Sequence, residues 1–278
     1  MNDDEPPNPN PPRAVLKFGG EVVADAAALA RVLDEVRALV ADGWRFVIVH
    51  GGGPQSNTQA TALGLDVRKV AGRRVTDRAT LEVAKQILAG AVNVDVVAAA
   101  KARGVRAVGI AGVSLLTATR RPAEVVDGQS VDWGFVGEVS EIDTELLEAL
   151  WAVGRVPVLA PLAADSSGQA YNINADTVAS ALAAAVRADH LFLMTAAGGV
   201  LKNIAEPDSR IPTLTPNEAR DAIASGVIVG GMIPKVADAL DQLEQGIGVV
   251  HILGTTSLRA AANEPGSVGT AIASEGVR

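Results

Sequence analysis

The sequence predicts an α/β protein built on a mainly parallel sheet, and three observations carry that prediction. Short β-branched and apolar runs alternate with stripes of helical period along the whole chain. The composition is 48% hydrophobic but only 3% aromatic. Its apolar content is therefore mostly Ala, Val and Leu, which suits helices packed closely on buried strands. Finally, 278 residues can bury the core of one large domain, or of two lobes sharing one sheet.

The elements follow in order. Residues 14–18 form a short apolar strand run that ends in Gly19-Gly20. A helical stripe then runs through Leu29, Val32, Leu33, Val36, Leu39 and Val40, with Asp25 as its cap and Gly43 as its stop. Residues 46–50 are a second buried strand, so the first fifty residues make a β-α-β unit with parallel strands and a right-handed crossover. Helices are expected over 55–63 and 77–103, the latter capped by Thr76 or Asp77, and a strand over 106–111.

Between residues 115 and 142 the runs shorten and a turn signal, Asp127-Gly128, appears, which predicts an antiparallel excursion. The alternation resumes with a helix over 144–153, a strand over 156–162, a helix over 176–188 and a strand over 190–195. Helices near 216–225 and 234–244 and a strand over 249–253 complete the pattern.

Charge and composition exclude several functions. A formal net charge of -8 and a pI near 5.0, with no basic run, argue against nucleic acid as a partner. Without cysteine there is neither a disulfide framework nor a thiolate zinc site, and His50, His190 and His251 stand far apart. Residues 1–13 are acidic and then proline-rich, and they read as a disordered tail without the features of a secretory signal. Charge or glycine interrupts the apolar stretches before the ~18 residues of a membrane span, so a soluble cytoplasmic protein is expected.

Open parallel sheets bind ligands at the carboxyl ends of their strands, which directs attention to 17–20, 50–55, 111–112, 161–165 and 195–199. Lys17-Phe18-Gly19-Gly20 sets a lysine beside two glycines that let a backbone approach an anion, or it is a surface lysine before a tight turn. His50-Gly51-Gly52-Gly53-Pro54-Gln55 lies between a strand and a helix, so its amides face an anion or a carbonyl oxygen, or simply allow close packing. A hydrolase reading of this loop requires a G-x-S-x-G elbow, and the sequence has none.

Tyr171-Asn172-Ile173-Asn174-Ala175-Asp176 leads into a helix; Asp176 is either its cap or a functional carboxylate. Gly230-Gly231-Met232-Ile233-Pro234-Lys235 puts a lysine in the first turn of a helix, which the helix dipole disfavours unless an anion binds there. Arg73-Arg74 could clamp a carboxylate or serve surface solvation. There is no Walker loop, and Gly246-Ile247-Gly248 enters a strand instead of leaving one, so a dinucleotide fold is disfavoured.

In order along the chain, KFGG, HGGGPQ, GRRVTD, LAGAVN, GFVGEV, YNINADT, GGMIPK and the terminal GTAI resemble the acetylglutamate kinases of the amino acid kinase family. The resemblance runs from about Ala14 to Ile272. It implies a three-layer αβα sandwich around an open, mainly parallel sheet, with an acceptor-binding lobe at about 14–160 and a nucleotide-binding lobe at about 161–278.

It also implies ATP-dependent phosphorylation of the side-chain carboxylate of N-acetylglutamate, in arginine biosynthesis. Lys17 and Lys235 would neutralise the transferring phosphoryl group and Asp176 would position both lysines. Gly52, Gly53, Arg74 and Asn172 would bind the acceptor, and Gly19, Gly20, Gly230 and Gly231 the phosphates. Mg²⁺ would arrive with ATP and the protein itself would supply no metal site; a cytoplasmic homodimer is expected.

The chemistry agrees with these roles. An acceptor carboxyl with pKa ~4.3 is already ionised at neutral pH and needs no general base, so lysines and amides that bring two anions together suffice. A kinase of N-acetyl- or carrier-linked 2-aminoadipate is the nearest alternative, since one methylene is worth only ~1–3 kcal/mol of discrimination. An inactive ligand-binding regulator is a third reading.

Three segments depart from the family pattern. Ala111-Gly112-Val113-Ser114-Leu115 lacks the charges common there, Thr195-Ala196-Ala197 lacks a Thr-Asp pair, and Gly254-Thr255-Thr256-Ser257 replaces the motif of arginine-inhibited members. Weak or absent arginine inhibition is expected.

Overall fold

A computed structural model describes residues 10–70, 73–203, 206–230, 232–255 and 257–274. The short apolar runs become the strands of an eight-stranded sheet. From one edge its order is Thr213–Leu214, Thr270–Ala273, Val249–Leu253, His190–Met194, Arg13–Phe18, Arg45–His50, Val156–Ala160 and Ala107–Ala111. All neighbours pair parallel except Thr270–Ala273, which runs antiparallel to Val249–Leu253.

Strand side chains alternate between faces, and that alternation builds two cores. Val15, Val47 and Val49 point into one core, with Val178 and Leu182 of the helix Ala175–Ala185 and Val236 and Leu240 of the helix Met232–Glu244. Leu16, Phe46 and Ile48 point into the other, with Val32, Leu33 and Val36 of the helix Ala26–Ala41 and Val96 of the helix Asn93–Ala102. Helices thus cover both faces, giving the expected αβα sandwich around a mainly parallel sheet.

Local signals explain most boundaries. Asp25 caps Ala26–Ala41 by accepting from the amides of Ala27 and Ala28, and Gly43 leaves that helix with φ +94°. Asp77, of the two candidates, caps the next helix through the Thr80 amide at 2.7 Å. The excursion is a four-stranded sheet ordered Ala170–Asn172, Leu162–Ala164, Leu116–Arg120, Gly137–Ile142, plus a hairpin that turns at Asp127-Gly128.

Several details differ from the sequence pattern. The run at 156–162 divides: its first strand ends at Ala160, Pro161 offers no amide to a ladder, and Leu162–Ala164 joins the smaller sheet. The strands Thr213–Leu214 and Thr270–Ala273 and the helix Leu258–Asn263 are too short for a periodic signal. The helix Arg78–Ala102 carries a π-helical stretch at Lys85–Val92. By length and composition that 25-residue helix could span a membrane, but Leu81, Leu88, Val92 and Val96 are buried in this fold.

Candidate active site

The strand Arg13–Phe18 lies between Arg45–His50 on one side and His190–Met194 on the other. The chain passes from Arg13–Phe18 to Arg45–His50 on one side and from His190–Met194 toward Val249–Leu253 on the other, and a crevice opens at such a switch point. Two glycine loops meet there, joined by the Gly51 amide donating to the Phe18 carbonyl at 2.7 Å.

Close approach explains the glycines. A Cβ on Gly51 would stand 3.2 Å from the Gly19 Cα, and one on Gly20 would stand 2.9 Å from the Gly52 Cα. Gln55 Nε2 ties the loops together by donating to the Gly20 carbonyl at 2.7 Å. A Cβ on Gly52 would press on Leu88 Cδ2 at 2.6 Å, although its φ of 179° suits any residue. Gly53, by contrast, borders open space among the described residues.

His50 supports this loop from below. It is fully buried, its Nδ1 lies 2.9 Å from the Gly51 carbonyl, and its Nε2 lies 3.1 Å from Asn93 Nδ2. Asn93 also donates to the Val158 carbonyl at 2.9 Å. An acceptor at the carbonyl and a donor at the amide select the neutral Nδ1–H tautomer, and burial holds the pKa down at about 4. His50 is thus an uncharged strut that orients the glycine amides. Sequence reading quoted both residues inside motifs, HGGGPQ and LAGAVN, without assigning them this part.

The lysine is paired. Lys17 Nζ stands 2.8 Å from Asp176 Oδ1, with the lysine side chain 14% and the aspartate 50% exposed. Asp176 is free to do this because Asn174 is the helix cap, accepting from the Asp176 amide at 2.7 Å. An acidic group in the first turn is also favoured by the helix dipole.

Arg74 faces the same cavity from the short strand Arg73–Arg74. Its Nη2 donates to the Gly53 carbonyl at 3.4 Å and to Asn57 Oδ1. Its Nη1 is buried without a partner among the described residues, and burial lowers the guanidinium pKa. Such an open donor suits a carboxylate. Asn172 is anchored by donating to Thr76 Oγ1 at 3.2 Å.

One cavity of about 420 Å³ gathers most of the expected site: Lys17, Gly19, Gly20, Gly52, Gly53, Arg74, Asn172 and Asp176 all line it. Asn174, the second asparagine of the YNINADT motif, lines it too, as do Glu21, Ser56 and Leu88, which were not anticipated. Lys235 and Gly230 are exposed and are not among its lining residues, and Gly231 lies outside the described residues. Asp176 therefore holds Lys17 in this structure, and no ion pair with Lys235 accompanies it among the described residues.

A neighbouring cavity of about 350 Å³ lies past Gly19-Gly20, at the ends of His190–Met194 and Val249–Leu253. Glu21, Asp25, Thr195 and Thr255 line it, and the buried Thr195 Oγ1 has no partner among the described residues. An orphaned hydroxyl at the ends of two parallel strands suits a polar ligand. Among the described residues no group of three or more His, Cys, Asp or Glu is placed to hold a metal ion.

Comparison with known proteins agrees with this geometry. The sequence model of the amino acid kinase family matches residues 12–254. Acetylglutamate kinase from Sorangium cellulosum is 47% identical over 93% of this chain and 93% of its own. That from Anaeromyxobacter dehalogenans strain 2CP-C is 49% identical over 93% of this chain and 98% of its own. Among solved structures, N-acetylglutamate synthase from Neisseria gonorrhoeae, complexed with coenzyme A and N-acetyl-glutamate, superposes with a TM-score of 0.79 at 26% identity. The match covers 95% of this chain but 60% of that one, so this chain spans about three fifths of the synthase. The chain belongs to the amino acid kinase family and, within it, to the acetylglutamate kinases.

Proposed function

We propose that this enzyme transfers the γ-phosphoryl group of ATP to the side-chain carboxylate of N-acetyl-L-glutamate, the step that the name of its relatives assigns to arginine biosynthesis. The observation that carries this reading is the single cavity in which a paired lysine, two glycine loops and an open arginine donor face one another.

The step balances without a proton. A carboxylate oxygen forms a bond to the γ-phosphorus, the bond from that phosphorus to the bridging oxygen breaks, and ADP leaves with the electron pair. The acceptor is ionised at neutral pH, so Asp176 is not a base; its carboxylate holds Lys17. Lys17 offsets the charge of two approaching anions, and the amides of Gly52 and Gly53 receive the acceptor carboxylate. Arg74 takes the second carboxylate and Asn172 the acetamido group. Gly19 and Gly20 receive the phosphates, with Gly230, Gly231 and Lys235 completing the nucleotide side. Mg²⁺ brought by ATP would offset phosphate charge when bound, and Glu21 and Asp25 are the carboxylates of this chain that line the neighbouring cavity. This division gives an acceptor lobe at about 14–160 and a nucleotide lobe at about 161–278.

The enzyme works as a cytoplasmic homodimer that arginine inhibits weakly or not at all. In favour of pairing, Ala91, Val94 and Ala98 leave an exposed small apolar face along Arg78–Ala102, with Val94 61% exposed. A hexamer that loses activity at moderate arginine concentration would contradict this.

The direct test incubates the purified chain with Mg-ATP and N-acetyl-L-glutamate and traps the acyl phosphate with hydroxylamine. Hydroxamate formation is expected, with kcat/KM higher than for N-acetyl-2-aminoadipate. Binding of both ligands without hydroxamate would replace the enzyme by a regulator.

A further inference from the structure

Beyond Arg74 and Asn172 a further cavity of about 320 Å³ opens, walled by Arg73, Arg121, Trp133 and Glu138 in addition to those two. Trp133 is 1% exposed, and its Nε1–H, like the Nε–H of Arg121, has no hydrogen-bond partner among the described residues. The Arg121 guanidinium carbon stands 5.2 Å from the Trp133 ring centroid, so the two open donors belong to one cation–π pair. The terminal nitrogens of Arg121 are already engaged, by Glu124 at 3.1 Å and Glu138 at 3.6 Å. Arg121 is thus offset by two carboxylates, and the positive charge of this wall comes from Arg73 and Arg74.

Buried donors without acceptors are rare in a folded chain and call for a ligand. N-acetylglutamate does not supply one here. Its two carboxylates and its acetamido group are taken up by the glycine amides, Arg74 and Asn172, and its acyl arm ends in a methyl group. The Nε1–H of Trp133 and the Nε–H of Arg121, members of one cation–π pair, offer two donors to the oxygens of one more carboxylate.

We propose that this cavity is a subsite for an anionic acyl arm, so that the enzyme also phosphorylates N-acylglutamates whose acyl group ends in a carboxylate, of which N-succinyl-L-glutamate is the simplest probe. This rests on the acceptor reading above and widens its substrate class. The exposed Arg73 stands in the same wall and adds its charge. The phosphoryl transfer itself is unchanged, since the arm lies away from the reacting carboxylate.

The experiment compares N-acetyl-, N-succinyl- and N-butyryl-L-glutamate by hydroxamate trapping with Mg-ATP. N-butyryl controls for size without charge. N-succinylglutamate is expected to show a KM about 10- to 100-fold below that of N-acetylglutamate, with no such gain for N-butyryl. Trp133→Phe, which removes the N–H and keeps a ring, and Arg73→Leu should each shrink the succinyl-to-acetyl ratio of kcat/KM. Melting temperatures check folding, and the exposed Arg73 carries the test if Trp133→Phe is unstable. The proposal is overturned if N-acetylglutamate is phosphorylated while N-succinylglutamate shows no advantage, or if neither substitution changes the ratio. If no acceptor is phosphorylated, the acceptor reading falls and the subsite falls with it.

Discussion

The proposed acceptor side and the proposed nucleotide side of the crevice are built differently. On the acceptor side the working groups are already held: Lys17 by Asp176, the Gly20 carbonyl by Gln55, the Gly51 carbonyl by His50, Arg74 by Gly53 and Asn57. On the nucleotide side Thr195 Oγ1 is an open hydroxyl and Lys235 stands exposed at the start of its helix. On that assignment the difference teaches that the fold prepares the acceptor groups in advance, while the other side offers groups whose partners come with the ligand.

Acid sensitivity should expose the contrast most strongly. His50, the strut of the acceptor side, is held at about 4 by burial. Under the other half, His190 Nδ1 lies 2.9 Å from His251 Nε2, and burial depresses both pKa values below the usual 6.5. Mutual repulsion lowers that of His251 further. For a histidine kept neutral by the fold, the unfolded chain binds the proton first. Its stabilisation is complete above about 6.5 and is lost as pH falls toward 4 and then 3. Each histidine contributes up to about 1.4 kcal/mol per pH unit in that window. Melting curves from pH 7.5 to 4 should fall steeply, and His251→Phe should flatten them more than His50→Asn. A flat profile between pH 6.5 and about 5 would remove the histidines from the account, because carboxylates with a usual pKa of 3.8 contribute mainly below that range.

Lys17→Met should come next in size. It removes a charge from the reacting centre, and kcat should fall about 10²- to 10³-fold. Asp176 is half exposed, so breaking the pair should change stability by less than about 1 kcal/mol. If kcat survived within a few fold, Lys17 would be a surface residue after all.

Legibility of the molecule follows the same divide. The strands at 14–18 and 46–50 were readable because every apolar residue in them faces a core, and Lys17, Gly52, Arg74 and Asp176 were readable, as groups that line one cavity, from ordered motifs. The cap was not: Asn174 and Asp176 are both capping types, and only the backbone turn at Asn174 selects between them. The edge strands Thr213–Leu214 and Thr270–Ala273 carry too few residues for a period of two. Lys235 was read as a partner of Asp176, yet its position depends on how a whole helix sits on the sheet, which no local pattern states. The donors of Trp133 and Arg121 were invisible because a missing partner is a property of three-dimensional packing.

Gly52→Ala tests whether the acceptor side is as tight as its contacts imply. The new methyl would meet Leu88 Cδ2 at 2.6 Å, without backbone strain. A shift of the loop amides should raise the acceptor KM about tenfold and leave the ATP KM alone. Adding Leu88→Ala should restore part of the loss, since the two sites share one contact. Equal losses in the single and double variants would place the fault elsewhere.

The smallest effect should come from a polar link between the helix that carries Lys235 and Asp176. Gln242 is 3% exposed on the helix that carries Lys235, and its Nε2 donates to Ser180 Oγ at 2.5 Å. Ser180 in turn donates to the carbonyl of Asp176 at 2.9 Å. The chain of bonds therefore runs from the lysine helix to the residue that holds Lys17. Gln242 Oε1 has no partner among the described residues, so Gln242→Leu removes a bond and an orphaned acceptor together, and stability should move by no more than ~1 kcal/mol. If the link sets the register of the two helices, kcat should still fall a few fold while the acceptor KM holds, and Gln242→Asn should fail to rescue it because its shorter arm cannot reach. Unchanged kcat in Gln242→Leu would mean that the two sides come into register only through the nucleotide itself.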